Sequence, residues 1–143
     1  MIFAVDVKIS KDVINDVYKP YLKNDKSVLI CYGGASSGKS VFASQKCIID
    51  VANGGRNYLC VRYVKATIRN SMFNEICKTI DRFKLTPYFN INKSDLVITC
   101  ANGYQILFAG LDDVEKIKSI TPAKGVITDI WIEEATEASP NDI

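Results

Sequence analysis

The stretch Gly33-Gly34-Ala35-Ser36-Ser37-Gly38-Lys39-Ser40 limits what this chain can become more than any other. It fits G-x-x-x-x-G-K-[ST], a pattern whose glycines allow a tight loop with several backbone N–H groups turned inward. The pattern carries that meaning only between a strand and a helix, and both flanks suit it. The apolar run Val28-Leu29-Ile30-Cys31-Tyr32 precedes it, and an amphipathic stretch begins near Val41. Strand, loop and helix N-terminus together make a phosphate cradle, because the free N–H groups and the positive end of the helix dipole converge on one point. Every residue from Gly33 to Ser40 is therefore a candidate nucleotide ligand. Lys39 is expected to reach the β/γ oxygens, and the Ser40 hydroxyl to ligand Mg²⁺.

Composition removes several other chemistries. The chain has 143 residues, 48% hydrophobic and 24% charged, as expected of one ordinary globular domain. No apolar run is long enough to span a bilayer, and Asp6 and Lys8 interrupt the start too early for a signal peptide. Histidine is absent, so Ser-His-Asp, Cys-His and H-E-x-x-H sites are excluded within these residues. Catalysis must rest on carboxylates, lysine, arginine, hydroxyls and a bound metal. Cys31, Cys47, Cys60, Cys77 and Cys100 show no metal spacing and read as buried, reduced thiols of a cytoplasmic protein. Asn92-Lys93-Ser94 reads as a polar turn rather than a glycosylation site.

Charge is unevenly spread. Segment 56–84 carries Arg56, Arg62, Lys65, Arg69, Lys78, Arg82 and Lys84 against Glu75 and Asp81, whereas segment 110–143 is rich in acids. The basic cluster fits a solvated helix face, or a face that meets DNA or a neighbouring subunit.

Along the chain, residues 2–9 alternate weakly and could form an edge strand. Ser10 is placed to cap a short helix running to about Tyr18, ended by Pro20. Val28–Tyr32 is expected as the first core strand, with a helix from Lys39 to about Ala52 stopped by Gly54-Gly55. Tyr58–Val64 reads as a buried strand. A helix from about Ala66 to Phe83 has Ile68, Met72, Ile76, Ile80 and Phe83 on one stripe. Leu96–Cys100 and Tyr104–Phe108 flank Asn102-Gly103, a hairpin signal. A short helix over Asp113–Ser119 and a strand over Val126–Ile132 complete the set. The order predicts an α/β fold: helices on a mostly parallel sheet, with one inserted antiparallel hairpin.

The last strand supplies the second half of a site. Ile130-Trp131-Ile132 runs straight into Glu133-Glu134. Nucleotide hydrolysis needs one acid near Mg²⁺ and a carboxylate that polarises the attacking water, both at the C-terminal edge of the sheet. Glu133 is assigned to the metal and Glu134 to the water. An acidic pair after a strand also suits a helix N-terminus, so the assignment depends on the loop upstream.

Taken in order, Gly33–Ser40, Val61-Arg62, Leu107-Phe108-Ala109-Gly110-Leu111-Asp112-Asp113, Lys118-Ser119-Ile120 and Trp131-Ile132-Glu133-Glu134-Ala135-Thr136-Glu137 resemble the ATPase domain of tailed-phage terminase large subunits. The likeness is nearest to the prophage (PBSX-like) type and runs from about Tyr18 onward. It implies a P-loop NTPase fold of the class with an added catalytic glutamate (ASCE), with ATP and Mg²⁺ as cofactors. The activity it implies is ATP hydrolysis that drives double-stranded DNA into a capsid. Portal protein, a small terminase subunit and a homo-oligomeric ring are the implied partners, in the cytoplasm of a bacterial host. By position, Lys39 and Ser40 match the phosphate and Mg²⁺ residues and Glu134 the catalytic carboxylate. Glu133 stands where many such ATPases have aspartate. Arg62 matches an arginine near the nucleotide and is a candidate charge stabiliser; Arg56 and Arg69 are weaker candidates. Tyr18 and Tyr21 stand where such proteins contact the base, although core packing suits them as well.

Family members continue past the double-acid motif into further strands, a coupling motif and a nuclease domain. Residues 1–143 thus read as an N-terminal, C-terminally truncated portion of the ATPase domain, with a gap or altered pairing where a strand would insert between those of the loop and the acids. Two other readings fit the same residues: a nucleotide-binding or assembly module without turnover, and a helicase-type P-loop ATPase.

Overall fold

The computed structural model describes residues 9, 11–23, 28–34 and 38–135. Its centre is a mixed five-stranded sheet of order β2-β3-β4-β1-β5. The strands are β1 (Tyr58–Arg62), β2 (Phe89–Asn92), β3 (Val97–Cys100), β4 (Gln105–Gly110) and β5 (Asp129–Ile132). β1 lies parallel to both β4 and β5, while β2–β3 and β3–β4 are antiparallel. The sheet is therefore half parallel rather than mostly parallel, and the hairpin is no appendage. Its second strand, β4, is the one on which β1 is laid.

Helix α1 (Lys39–Asn53) forms as its pattern predicts and ends at Gly54, whose φ of +86° suits glycine. The helix expected over 66–83 is built in three pieces: a 3₁₀ turn at Lys65–Thr67, a π-turn at Arg69–Phe73, and helix α2 (Asn74–Arg82). Packing accounts for the interruption. The Phe73 N–H donates to the Ile68 carbonyl at 3.2 Å, and that extra residue in the turn lets Met72 and Phe73 both face inward. The stripe Ile68, Met72, Ile76, Ile80 is fully buried, and Phe73 meets Phe108 edge-on at 5.1 Å. Helix α3 (Val114–Ser119) starts at Asp113, whose carboxylate accepts from the Lys116 N–H.

Alternation along the strands divides the interior. Tyr58, Cys60, Ile106 and Phe108 join the larger cluster beneath α1 and α2. Leu59, Val61, Leu107 and Ala109 face the other side, against Ile117, Ile120 and Ile127. Two covered faces explain the near-continuous apolar character of β1 and β4. Polar ties fix the edges. Fully buried Asn57 donates to the Lys124 and Val126 carbonyls at 2.6 and 2.9 Å and accepts from the Gln105 N–H at 2.8 Å, joining β1, β4 and the approach to β5. At the hairpin tip, Asn102 donates to the Val51 carbonyl at 2.8 Å and so closes the end of α1. Asp50 accepts from Lys46, Arg56 and Tyr58. Burial and this hydrogen bond push the Tyr58 phenol far above its ordinary range.

Several expectations fail here. Val28–Tyr32 is not a core strand: it is exposed throughout, with Ile30 at 75% and Tyr32 at 91%, and it pairs with nothing in the sheet. An extended segment is held by its neighbour's hydrogen bonds, and among the described residues the sheet ends at β5. In place of a helix reaching Tyr18 there are 3₁₀ turns at Lys11–Val13 and Lys19–Tyr21, and Pro20 opens the second turn rather than closing a helix. β2 went unpredicted, and β5 is shorter than the apolar run around it. Of the thiols, Cys47, Cys60 and Cys100 are buried, Cys77 is half-buried and Cys31 is exposed. The strand expected over 2–9 lies outside the described residues, apart from Ile9.

Candidate nucleotide-binding site

Parallel pairing brings the site together. β5 runs beside β1 with Val61 opposite Ile132, so the next residues, Arg62 and Glu133, emerge side by side at the C-terminal edge. The Glu133 N–H still donates to the Val61 carbonyl at 3.0 Å, which fixes that backbone beyond the strand. The first turn of α1 arrives at the same edge. Ser40 Oγ donates to Glu133 Oε1 at 2.7 Å across 93 residues of sequence. The two residues assigned to the metal from sequence are thus in direct contact.

The remaining groups surround that contact. Arg62 approaches the second Glu133 oxygen, Nη1 to Oε2, at 3.9 Å, with both side chains largely buried. Arg62 Nε and Glu133 Oε2 are buried without any hydrogen-bond partner among the described residues. Unmet polar atoms of opposite character in one place are costly unless something is meant to stand between them. Glu134 lies in the bend after β5, exposed, with φ at +55° in the left-handed region that few non-glycine residues adopt. Ser40, Arg62, Glu133 and Glu134 line one open pocket of about 270 Å³.

The glycine loop is described at both ends. Gly38 precedes α1 with φ at +81°, and Tyr18 Cε2 stands 3.5 Å from where a Cβ there would lie. The Lys39 ammonium donates to the Gly33 and Gly34 carbonyls at 2.6 and 3.1 Å, folding back over the loop. Ala35, Ser36 and Ser37 lie outside the described residues. Tyr18 stacks on Phe42 with ring centroids 4.6 Å apart, a packing role, while Tyr21 is exposed.

A fit for Mg²⁺ rests on the donor set. Ser40 and Glu133 offer hard oxygens, and Glu133 Oε2 accepts no hydrogen bond from any described residue. No cluster of three or more Asp, Glu, Cys or His side chains forms a self-sufficient metal site among the described residues. An ion here would therefore share its ligands with phosphate and water, as Mg²⁺ at nucleotide sites does.

The weaker arginine candidates are occupied elsewhere. Arg56 pairs with Asp50 and approaches Asp129, and Arg69 donates to the Lys93 carbonyl. The basic cluster of 56–84 is largely neutralised in place, since Lys65 pairs with Asp113 and Arg82 with Glu75. Sequence reasoning missed the wall of the pocket supplied by Asn70, Asn74 and Lys78. Their spacing of four residues, on the face opposite the apolar stripe, was the available signal.

Comparison with known proteins places the chain in a family. A family model described as phage terminase large subunit matches residues 24–143. The "Terminase, large subunit" of Bacillus phage SPP1 is 34% identical over 106 residues, covering 73% of this chain and 25% of that protein. The "PBSX phage terminase large subunit" of Bacillus subtilis (strain 168) is 31% identical over 125 residues, covering 87% of this chain and 28% of its own length. The chain thus spans about a quarter of the length of these relatives.

Proposed function

The chain belongs to the phage terminase large-subunit family, and from that premise we propose that it is the ATP-binding and ATP-hydrolysing portion of a DNA-packaging motor. The observation that carries the reading is the 2.7 Å contact of Ser40 with Glu133, made by joining a helix after a glycine loop to an acidic strand end. In this reading Gly33 to Ser40 cradle the phosphates, and Lys39 leaves the Gly33 and Gly34 carbonyls to meet the β/γ oxygens. Ser40 and Glu133 hold Mg²⁺, which when bound offsets phosphate charge. Arg62 stabilises charge developing beside Glu133, and Glu134 polarises the attacking water. Double-stranded DNA, a portal, a small terminase subunit and a homo-oligomeric ring belong to the same proposal, supported by family membership.

Titration with Mg·ATP tests the site. Glu133→Gln is expected to weaken Mg²⁺-dependent binding roughly tenfold, while metal-free nucleotide binds about as before. Glu134→Gln is expected to leave binding intact and to lower any turnover by two or more orders of magnitude. ATP binding that is equal with and without Mg²⁺ in the unaltered chain would overturn the metal assignment. Stimulation of turnover by double-stranded DNA separates a packaging motor from other P-loop ATPases.

A second reading, nucleotide binding without turnover, is favoured by the exposure of Val28–Tyr32. The loop is anchored through α1 at one end, while the segment entering it pairs with no strand. Catalysis depends on a phosphate cradle held rigidly, and binding tolerates more play.

A further inference from the structure

The pocket beside Glu133 and Glu134 has a second wall. Asn70 lies in the π-turn, and Asn74 and Lys78 follow on α2 at intervals of four residues. That spacing puts them on one exposed helical face, opposite the buried stripe of Ile68, Met72, Ile76 and Ile80. The π-turn matters here because it resets the helical phase between Ile68 and Asn74.

Charge around this wall is nearly all accounted for. Ser40 and Arg62 engage Glu133, and Arg82 pairs with Glu75 at 3.1 Å. The Lys78 side chain makes no hydrogen bond or ion pair with any described residue. Lys78 lines the pocket together with Glu134, whose side chain likewise has no ion pair among the described residues. Arg62 adds a buried Nε that still lacks an acceptor. Asn70, Asn74, Lys78 and Arg62 thus line one space of about 270 Å³ together with Glu75, Glu133 and Glu134, of which Glu75 is paired with Arg82 and Glu133 is held by Ser40 and Arg62.

We propose that Asn70, Asn74 and Lys78, opposite Arg62, form a phosphate subsite that receives the inorganic phosphate released from a nucleotide held at the loop. The proposal rests on the nucleotide reading of that loop. Hydrolysis transfers the terminal phosphoryl group from the ADP oxygen to water. The oxygen–phosphorus bond to ADP breaks, a bond to the water oxygen forms, and the water proton passes to the solvent-exposed Glu134 carboxylate. The product is a phosphate formed beside Glu134, and this wall lines the same pocket as Glu134. Lys78 holds it by charge, and the amides orient it.

Titration of the chain with inorganic phosphate, with and without saturating Mg·ADP and followed by ³¹P line broadening, provides the test. Saturable binding is expected, with Lys78→Ala weakening it roughly tenfold and Lys78→Arg restoring most of it. Asn74→Ala should weaken it less, and Lys84→Ala, altering a lysine outside the pocket, should leave it unchanged. Affinity for Mg·ADP should stay within about twofold in all four variants. Phosphate that binds Lys78→Ala as well as the unaltered chain, or that binds neither, overturns the subsite. Failure of Mg·ADP to bind overturns the loop reading instead, while the nucleotide-free titration still decides whether the wall takes phosphate.

Discussion

The two flanks of β1 are built differently. Toward β4 and the hairpin, side chains are buried on both faces, with Ile106, Phe108 and Ala109 no more than 1% exposed. Toward β5 the sheet thins: β5 has four residues, Ile130 is 61% exposed, and the apolar segment before the glycine loop stands outside the sheet. The first flank is held by apolar packing and the second by polar ties, chiefly Asn57 and the Ser40–Glu133 contact. The candidate site is on the second flank. Residues proposed to meet phosphate, metal and water cannot also be sealed in a core, so the candidate site and the packed core lie on opposite sides of one strand.

The largest expected effect tests the packed flank. Phe108→Ala removes a ring that is 1% exposed and in contact with Phe73, and should cost about 4 kcal/mol in denaturant unfolding. Ile130→Ala, on the other flank, should stay within about 0.5 kcal/mol. Equal costs would mean that β5 is as firmly packed as β4 and would erase the distinction.

Asn57 joins the flanks, and Asn57→Ala should cost about 3 kcal/mol, because the Gln105 N–H and the Lys124 and Val126 carbonyls lose their buried partner together. Hydrogen exchange sharpens this test. Amides of β5 should lose protection before those of β4, since Asn57 holds two carbonyls on the approach to β5 but a single amide at the start of β4, which β1 and β3 also flank.

A smaller effect is expected at Gly110, the register partner of Arg62. A Cβ there would collide with Asp112 Oδ1 and come within 2.6 Å of the Lys65 backbone nitrogen. Gly110→Ala should cost about 2 kcal/mol and shift the backbone that presents Arg62. Nucleotide binding read beside the unfolding curve separates the two consequences.

Much of this was legible in the sequence because local pattern and tertiary demand agreed. The stripe from Ile68 to Phe83, the Asn102-Gly103 turn and the stop at Gly54 each state a local preference that the packing satisfies. Glu133 meeting Ser40 was legible for another reason: strand-then-acid and loop-then-helix have few ways to share a parallel edge. The rest depended on partners distant in sequence. β2 is a four-residue strand, F-N-I-N, whose alternation is too short to stand out, and β3 makes it a strand. Asn57 reads as an ordinary polar residue until three separate segments fold around it. Nothing in Arg69–Phe73 announces a π-turn, which arises because Met72 and Phe73 both find room inside.

Val28–Tyr32 is the sharpest case, because its sequence asks for burial and the fold leaves it out. β-branched and aromatic residues favour a strand only where neighbours supply hydrogen bonds and cover. β1 has both its edges occupied, by β4 and β5, so it can take no further strand. If exposure governs, Ile30→Lys should change unfolding free energy by less than about 0.5 kcal/mol, since a side chain already 75% exposed has little burial to lose. It should also reduce concentration-dependent association, because an unpaired apolar segment is a template for pairing between chains. A cost above about 2 kcal/mol would place Ile30 within a packed sheet in solution. The two flanks of β1 would then be more alike than the structure makes them, and the glycine loop would be anchored at both ends.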